Sequence, residues 1–155
     1  MTDSWYFAYG SNLDSGQKER RTGPTREARI ARLKGYDIAF NKRTNSGTGA
    51  ANIVRRKAET VWGVVFRCSP ETLVKMDGYE RTEGGDYRRA TVRVRCESGD
   101  EIDAVTYIAG ESFVSDSLIP SDKYLQTVLR GARHYGLPEE YIRKIERVAL
   151  RGRRT

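Results

Sequence analysis

Tyr6-Phe7-Ala8-Tyr9-Gly10-Ser11-Asn12-Leu13 is the stretch on which the reading of this chain turns. An apolar, aromatic run stops at Gly-Ser-Asn. Aromatic residues suit a pleated, half-buried surface, so the run reads as a short buried strand. Gly10 is able to take positive φ and lets another group come close to the backbone. Ser11 and Asn12 are small, polar residues of the kind that cap a turn or helix. A strand ending this way leaves several backbone N–H groups directed into one small space, a cradle for an anion or a carbonyl. The plainer reading of the same residues is an ordinary turn, so the cradle needs agreement from elsewhere in the chain.

The composition sets bounds. At 155 residues the chain suits one compact domain, 1–155, with a real core. Hydrophobic residues at 37% and charged residues at 32% give a polar chain, but not the composition of a disordered one. No apolar run nears the ~20 residues of a membrane helix, and Met1-Thr2-Asp3-Ser4 lacks the features of a signal peptide. A cytoplasmic protein with no membrane partner is expected. Cys68 and Cys96 are the only cysteines, match no metal-ligand spacing, and read as buried free thiols. The net charge of +7 raises the question of nucleic acid. The basic residues are spread along the chain, however, with one dense cluster from Arg147 to the C-terminus. A solvated basic surface is the expectation.

Taken in order, residues 13–21 suggest a short helix capped by Asn12 or Asp14, ended by Gly23-Pro24. Residues 28–33 and 36–40 read as strands on either side of Gly35. Residues 41–49, rich in Asn, Ser, Thr and Gly, read as a loop and a candidate lid. Residues 50–54 form a weak strand, and Val61-Trp62-Gly63-Val64-Val65-Phe66 a central one, with Gly63 marking a bulge or a close backbone approach. Ser69-Pro70-Glu71 starts a helix that Gly78 ends. Residues 87–96 and 102–109 form a hairpin around Ser98-Gly99-Asp100. Two helices close the chain: Ser121 caps the first, and Pro138 opens the second, with Tyr141, Ile142, Ile145, Val148 and Ala149 facing inward. The fold class is α+β, and a mixed, partly closed sheet or small barrel accommodates so many short strands.

A second stretch, Met76 to Tyr87, carries Asp77, Glu80, Glu83 and Asp86 between a helix and a strand. Tyr79 and Tyr87 could half-bury one of these carboxylates and raise its pKa, as a general base requires; a solvated acidic loop is the alternative. With this stretch added, the chain resembles the gamma-glutamylcyclotransferase family. Three matches in the family's order carry the resemblance: Tyr6 to Leu13; Val61-Trp62-Gly63-Val64-Val65 with Met76-Asp77-x-x-Glu80 and Tyr87; and Pro120-Ser121-x-x-Tyr124 with Gly131-Ala132 and Gly136-Leu137-Pro138-x-x-Tyr141.

The resemblance implies a small mixed β-barrel with flanking helices, and an enzyme that cyclises a γ-glutamyl group to 5-oxoproline, releasing an amine or amino acid. It implies no metal or organic cofactor and a small-molecule γ-glutamyl substrate as partner, and it allows a homodimer. It places the catalytic acid/base at Glu80 and substrate binding at Tyr9, Gly10, Ser11, Asn12, Leu13 and Tyr124. The family's Glu is usually followed by Gly, and here Arg81 stands in that place. Glu83-Gly84 is a rival match, but counting from Asp77 and back from Tyr87 both favour Glu80. The single histidine, His134, and the lack of GxSxG speak against a Ser-His-Asp site. A non-catalytic metabolite-binding protein of the same fold, or a basic nucleic-acid-binding module, are the competing readings.

Overall fold

Five strands and four helices are seen in the computed structural model, which describes residues 3–24 and 26–151. Part of the basic C-terminal cluster, 152–155, lies outside the described residues. The strands are β1 (Ser4–Ala8), β2 (Ala28–Arg43), β3 (Gly49–Cys68), β4 (Tyr87–Cys96) and β5 (Glu101–Ala109). The helices are α1 (Ser15–Thr22), α2 (Pro70–Tyr79), α3 (Asp122–Tyr135) and α4 (Glu139–Leu150). The strands close into a barrel in the order β1-β3-β2-β4-β5. All neighbours are antiparallel except β5 and β1, which pair parallel at Tyr6 and Val105 and close the ring. The sheet is therefore mixed, and closure leaves the short β1 without a free edge.

The pairs of strands expected on either side of Gly35, and at residues 50–54 and 59–67, are two long continuous strands. Gly35 breaks neither: it lies at a register shift between Lys34 and Tyr36, at φ +86, and bends β2 instead of ending it. The expected 41–49 loop is shorter than its polar letters suggest. Asn41 and Lys42 are buried strand residues, because Asn41 accepts from Asn52 Nδ2 at 3.0 Å and Lys42 pairs with Asp86 at 2.7 Å. Only a tight turn remains, tied by Thr44 and Thr48 through backbone and hydroxyl bonds, so the lid expectation is corrected. Gly63 is a close approach and not a bulge: a Cβ there would lie 2.2 Å from the Ala8 carbonyl oxygen.

The helix signals agree with the structure. Ser69 Oγ accepts from Thr72 N at the start of α2, and Ser121 Oγ from Tyr124 N at the start of α3. The five residues expected inward on α4 are all buried. The cap of α1 differs: Asp14 occupies the position, but its carboxylate accepts from Arg130 Nη2 of α3 at 2.8 Å. Lys144 of α4 reaches both Asp37 of β2 (2.8 Å) and Glu59 of β3 (2.7 Å), fastening the last helix to the barrel. Both cysteines are buried and unbonded to each other.

What seats α3 on the N-terminal turn is Gly131. A Cβ there would meet the Leu13 carbonyl carbon at 2.2 Å and the Asp14 nitrogen at 2.5 Å. Backbone lies against backbone, which fixes where Tyr124, two turns earlier on α3, can reach. Gly131→Ala is expected to cost about 1–3 kcal/mol through overpacking, read as a lower urea midpoint with an unchanged m-value. A midpoint equal to that of the parent protein would mean that α3 does not rest on this turn.

Candidate active site

One end of β1 and the end of α2 face each other across a cavity of about 150 Å³. Tyr6, Tyr9, Gly10, Ser11, Asn12, Arg21, Ala50, Ala51, Tyr79, Glu80, Tyr87 and Tyr124 line it. This is room for a few waters or a small ligand group. The cavity is thus built for a small polar group.

After β1 the chain makes a 3-10 turn, Ser11–Leu13. The first N–H groups of such a turn have no partner inside it, and Ser11 and Asn12, which carry them, both line the cavity. Leu13 does not take part: its N–H closes the turn onto the Gly10 carbonyl at 3.0 Å, and its side chain is fully buried in the core. Gly10 is at φ −115, so positive φ is not what demands glycine here. The demand is space: a Cβ would come 3.0 Å from Ala51 Cβ and 3.4 Å from the Tyr124 hydroxyl.

Asn12 does more than cap. Its buried side chain joins the N-terminal turn to the acidic stretch. Nδ2 lies 3.0 Å from Tyr6 Oη and 3.3 Å from Glu80 Oε1, while Oδ1 accepts from Gln17 Nε2 and Arg21 Nη1, each at 3.2 Å. Glu80 follows the last residue of α2, where the helix has just ended. Asp77, one turn earlier, faces away and accepts from Tyr107 Oη and Arg89 Nε, both at 2.7 Å, which ties the helix end to β4 and β5. Burial pushes the Glu80 carboxyl up from its ordinary value near 4.5 to about 7, against the pull of Arg21 and then of Lys42. Glu83, the rival, is exposed on the outer loop and does not line the cavity.

The opposite wall is organised by one backbone unit. Ala51 N–H donates to Tyr124 Oη at 2.9 Å, and the Ala51 carbonyl accepts from Tyr87 Oη at 2.7 Å. Tyr87 thereby spends its proton on the protein. Tyr124 uses its oxygen as an acceptor for Ala51, and the Ser11 side chain is a second hydrogen-bond partner of the same hydroxyl. Burial raises the pKa of Tyr6, Tyr9, Tyr87 and Tyr124, so all four stay neutral. Tyr9 is fixed through its hydroxyl, which donates to the Tyr107 carbonyl at 2.5 Å. Among the described residues no cluster of three or more His, Cys, Asp or Glu is disposed to hold a metal, and no helix is long and apolar enough to cross a membrane.

Residues 60–145 match the AIG2-like family. The human protein named gamma-glutamylcyclotransferase is 30% identical over 148 residues, spanning 92% of this chain and 77% of the relative. The mouse protein of the same name is 29% identical over the same length and shares. The chain belongs to the gamma-glutamylcyclotransferase family. It is a cyclotransferase-type enzyme by that membership. A solved gamma-glutamyl cyclotransferase has the same fold, with a TM-score of 0.86 at 28% identity, covering 93% of this chain and 86% of that one.

Membership of the gamma-glutamylcyclotransferase family gives the departure at Arg81 a physical meaning. Arg81 is the only described non-glycine residue with positive φ, at +54. The left-handed region costs an L-residue about 1–2 kcal/mol, so glycine is the natural occupant of the position after the motif's Glu. The left-handed backbone that glycine takes most readily is present at Arg81 even though the glycine is not.

Sequence reasoning missed Tyr6, Arg21 and the Ala50-Ala51 pair. Arg21 carried a signal of a kind: it sits in the last turn of α1, where its guanidinium stacks over the Tyr79 ring at 5.1 Å. Ala50 and Ala51 offered none, because they contribute space and backbone. The raised Glu80 carboxyl also has a stability consequence. A tenfold difference in proton affinity is worth about 1.4 kcal/mol. The folded state binds this proton more tightly than the unfolded chain, so the contribution is full below pH 4.5 and is lost as pH rises through about 7. Glu80→Gln should therefore be more thermostable than the parent protein at pH 8, with the advantage shrinking towards pH 4.5. Equal melting temperatures at pH 8 would mean the carboxyl is not held in a desolvated place.

Proposed function

We propose that the cavity folds a γ-glutamyl group onto itself, so that its α-amine attacks its own γ-carbonyl, yielding 5-oxoproline and a free amine or amino acid. The observation that carries this reading is the meeting, through Asn12, of the Glu80 carboxylate and the Gly10-Ser11-Asn12 turn on one small cavity. Glu80 is the base. With a pKa of about 7 it stands much nearer to an α-ammonium group than an ordinary carboxylate does. An ordinary carboxylate would be far too weak a base for that proton.

In the reaction a proton leaves the α-ammonium for Glu80, and the freed nitrogen lone pair forms the new bond to the γ-carbon. The carbonyl electrons move onto oxygen, where the N–H groups of Ser11 and Asn12 face the developing charge. Collapse of the adduct breaks the old C–N bond, and Glu80 returns its proton to the departing nitrogen. A second proton passes from the ring nitrogen to the leaving group, which departs as an ammonium ion. Tyr124, with Ser11 beside its hydroxyl, presents a neutral polar group to the bound glutamyl group, and Tyr9 and Gly10 give the cavity its shape. Holding the chain in a ring-closing form is worth about 7–11 kcal/mol where alignment is good, and the tyrosine-walled cavity is suited to that task. A non-catalytic metabolite site would not need a carboxyl poised to exchange a proton near neutrality, so the catalytic reading is preferred.

Released 5-oxoproline, measured over a panel of γ-glutamyl amino acids and amines, tests this. Glu80→Gln should lower kcat about 10²–10⁴-fold with substrate affinity nearly kept, and Glu83→Gln should be close to the parent. Since Glu80 must be ionised to act, kcat/KM should climb as pH rises through about 7. A fully active Glu80→Gln variant would remove this carboxyl from the mechanism.

A further inference from the structure

Behind the cavity lies a buried ion pair that the cyclisation does not use. Lys42 Nζ of β2 lies 2.7 Å from Asp86 Oδ2, and their side chains are only 9% and 7% exposed. Neither lines the cavity. The ammonium sits between the rings of Tyr87 (5.1 Å) and Phe113 (5.4 Å). The other carboxylate oxygen of Asp86 lies 3.7 Å from Arg81 Nε. The backbone adds to the hold: Asp86 N–H donates to the Arg81 carbonyl at 3.2 Å, and the Asp86 carbonyl accepts from Gly110 N–H at 2.9 Å.

The two ends of the intervening loop are therefore gathered at one carboxylate. Arg81 directly follows Glu80, and Tyr87, a cavity wall, directly follows Asp86. Breaking a buried pair from one side leaves an uncompensated charge and is costly, so the arrangement resists loosening. It also gives Arg81, the residue at positive φ, a charge partner.

We propose that Lys42 and Asp86, with Arg81, form a clamp that positions the Glu80 carboxylate and balances the charge behind it. These are positioning residues: they act through Glu80 and touch no substrate. The inference rests on the reading of Glu80 as the base for its kinetic consequence, but not for its structural one. The ionisable groups facing Glu80 are Tyr6 and Tyr9 of β1, Arg21 of α1, Lys42 of β2, Tyr87 of β4, Tyr107 of β5 and Tyr124 of α3. The tyrosines stay neutral, so Arg21 and the clamp are what set the local charge.

The test is the titration midpoint of the Glu80 carboxyl, followed by carbon NMR, beside the acidic limb of kcat/KM. Asp86→Asn leaves Lys42 unneutralised and should lower the midpoint by about one pH unit. Lys42→Met leaves Asp86 with only the longer contact to the exposed Arg81 as counter-charge and should raise the midpoint by a smaller amount. Lys42→Arg keeps the charge and should stay near the parent, as should the double variant Lys42→Met/Asp86→Asn, in which no charge is buried alone. Should Asp86→Asn not fold, the contrast between Lys42→Arg and Lys42→Met carries the comparison. Midpoints that do not move, or that move the same way in the two single variants, would overturn the proposal and leave the pair a structural tie only. If no γ-glutamyl compound is turned over, the NMR midpoints still separate the failure of this proposal from that of the proposed reaction.

Discussion

A half-buried carboxylate beside a single side-chain amide is the constraint around which this protein is arranged. Among the described residues, the Glu80 carboxylate finds one side-chain donor, Asn12 Nδ2 at 3.3 Å. That is less than an ionised carboxylate needs to be comfortable when buried, and the raised pKa is the consequence. Asn12 can reach it only because the chain turns sharply after β1. The turn stays in place because α3 lies directly on it at Gly131. The barrel, the turn and the helices thus converge on keeping one acid short of partners.

The walls follow the same logic. Four tyrosines provide polarity without charge, since burial keeps each of them protonated. Two of their hydroxyls are referred to one residue, Ala51, through its N–H and its carbonyl. Ala51 lies in β3 at the register shift between Ala39 and Lys42, where its backbone is without a ladder partner and serves the two hydroxyls instead. The two hydroxyls are thus held by strand backbone and not by a loop.

Much of this was legible in the sequence, for physical reasons that differ from residue to residue. Helix ends were readable because Ser69-Pro70 and Ser121 are local signals that need no tertiary knowledge. The strand of residues 87–96 was readable from its alternation. The Tyr6 to Leu13 turn and Glu80 stood out because the motifs fix them. What the sequence hid was whatever depends on distant partners. Asn41 and Lys42 look like loop residues until Asn52 and Asp86 are beside them. Gly35 looks like a break until β3 is seen to pair across it. Leu13 belongs to the motif but faces the core, because the turn rotates its side chain away from the cavity. Arg21 and Ala51 gain meaning only when α1 and β3 arrive at the same place.

The central claim is that one small molecule touches both the N-terminal turn and the carboxyl group at residue 80. A crystal structure of the protein soaked with 5-oxoproline addresses it most directly. The account predicts the lactam in the tyrosine-walled cavity, its ring nitrogen towards Glu80 and its ring carbonyl towards the N–H groups of Ser11 and Asn12. Occupied density elsewhere on the barrel, with this cavity holding only water, would contradict it.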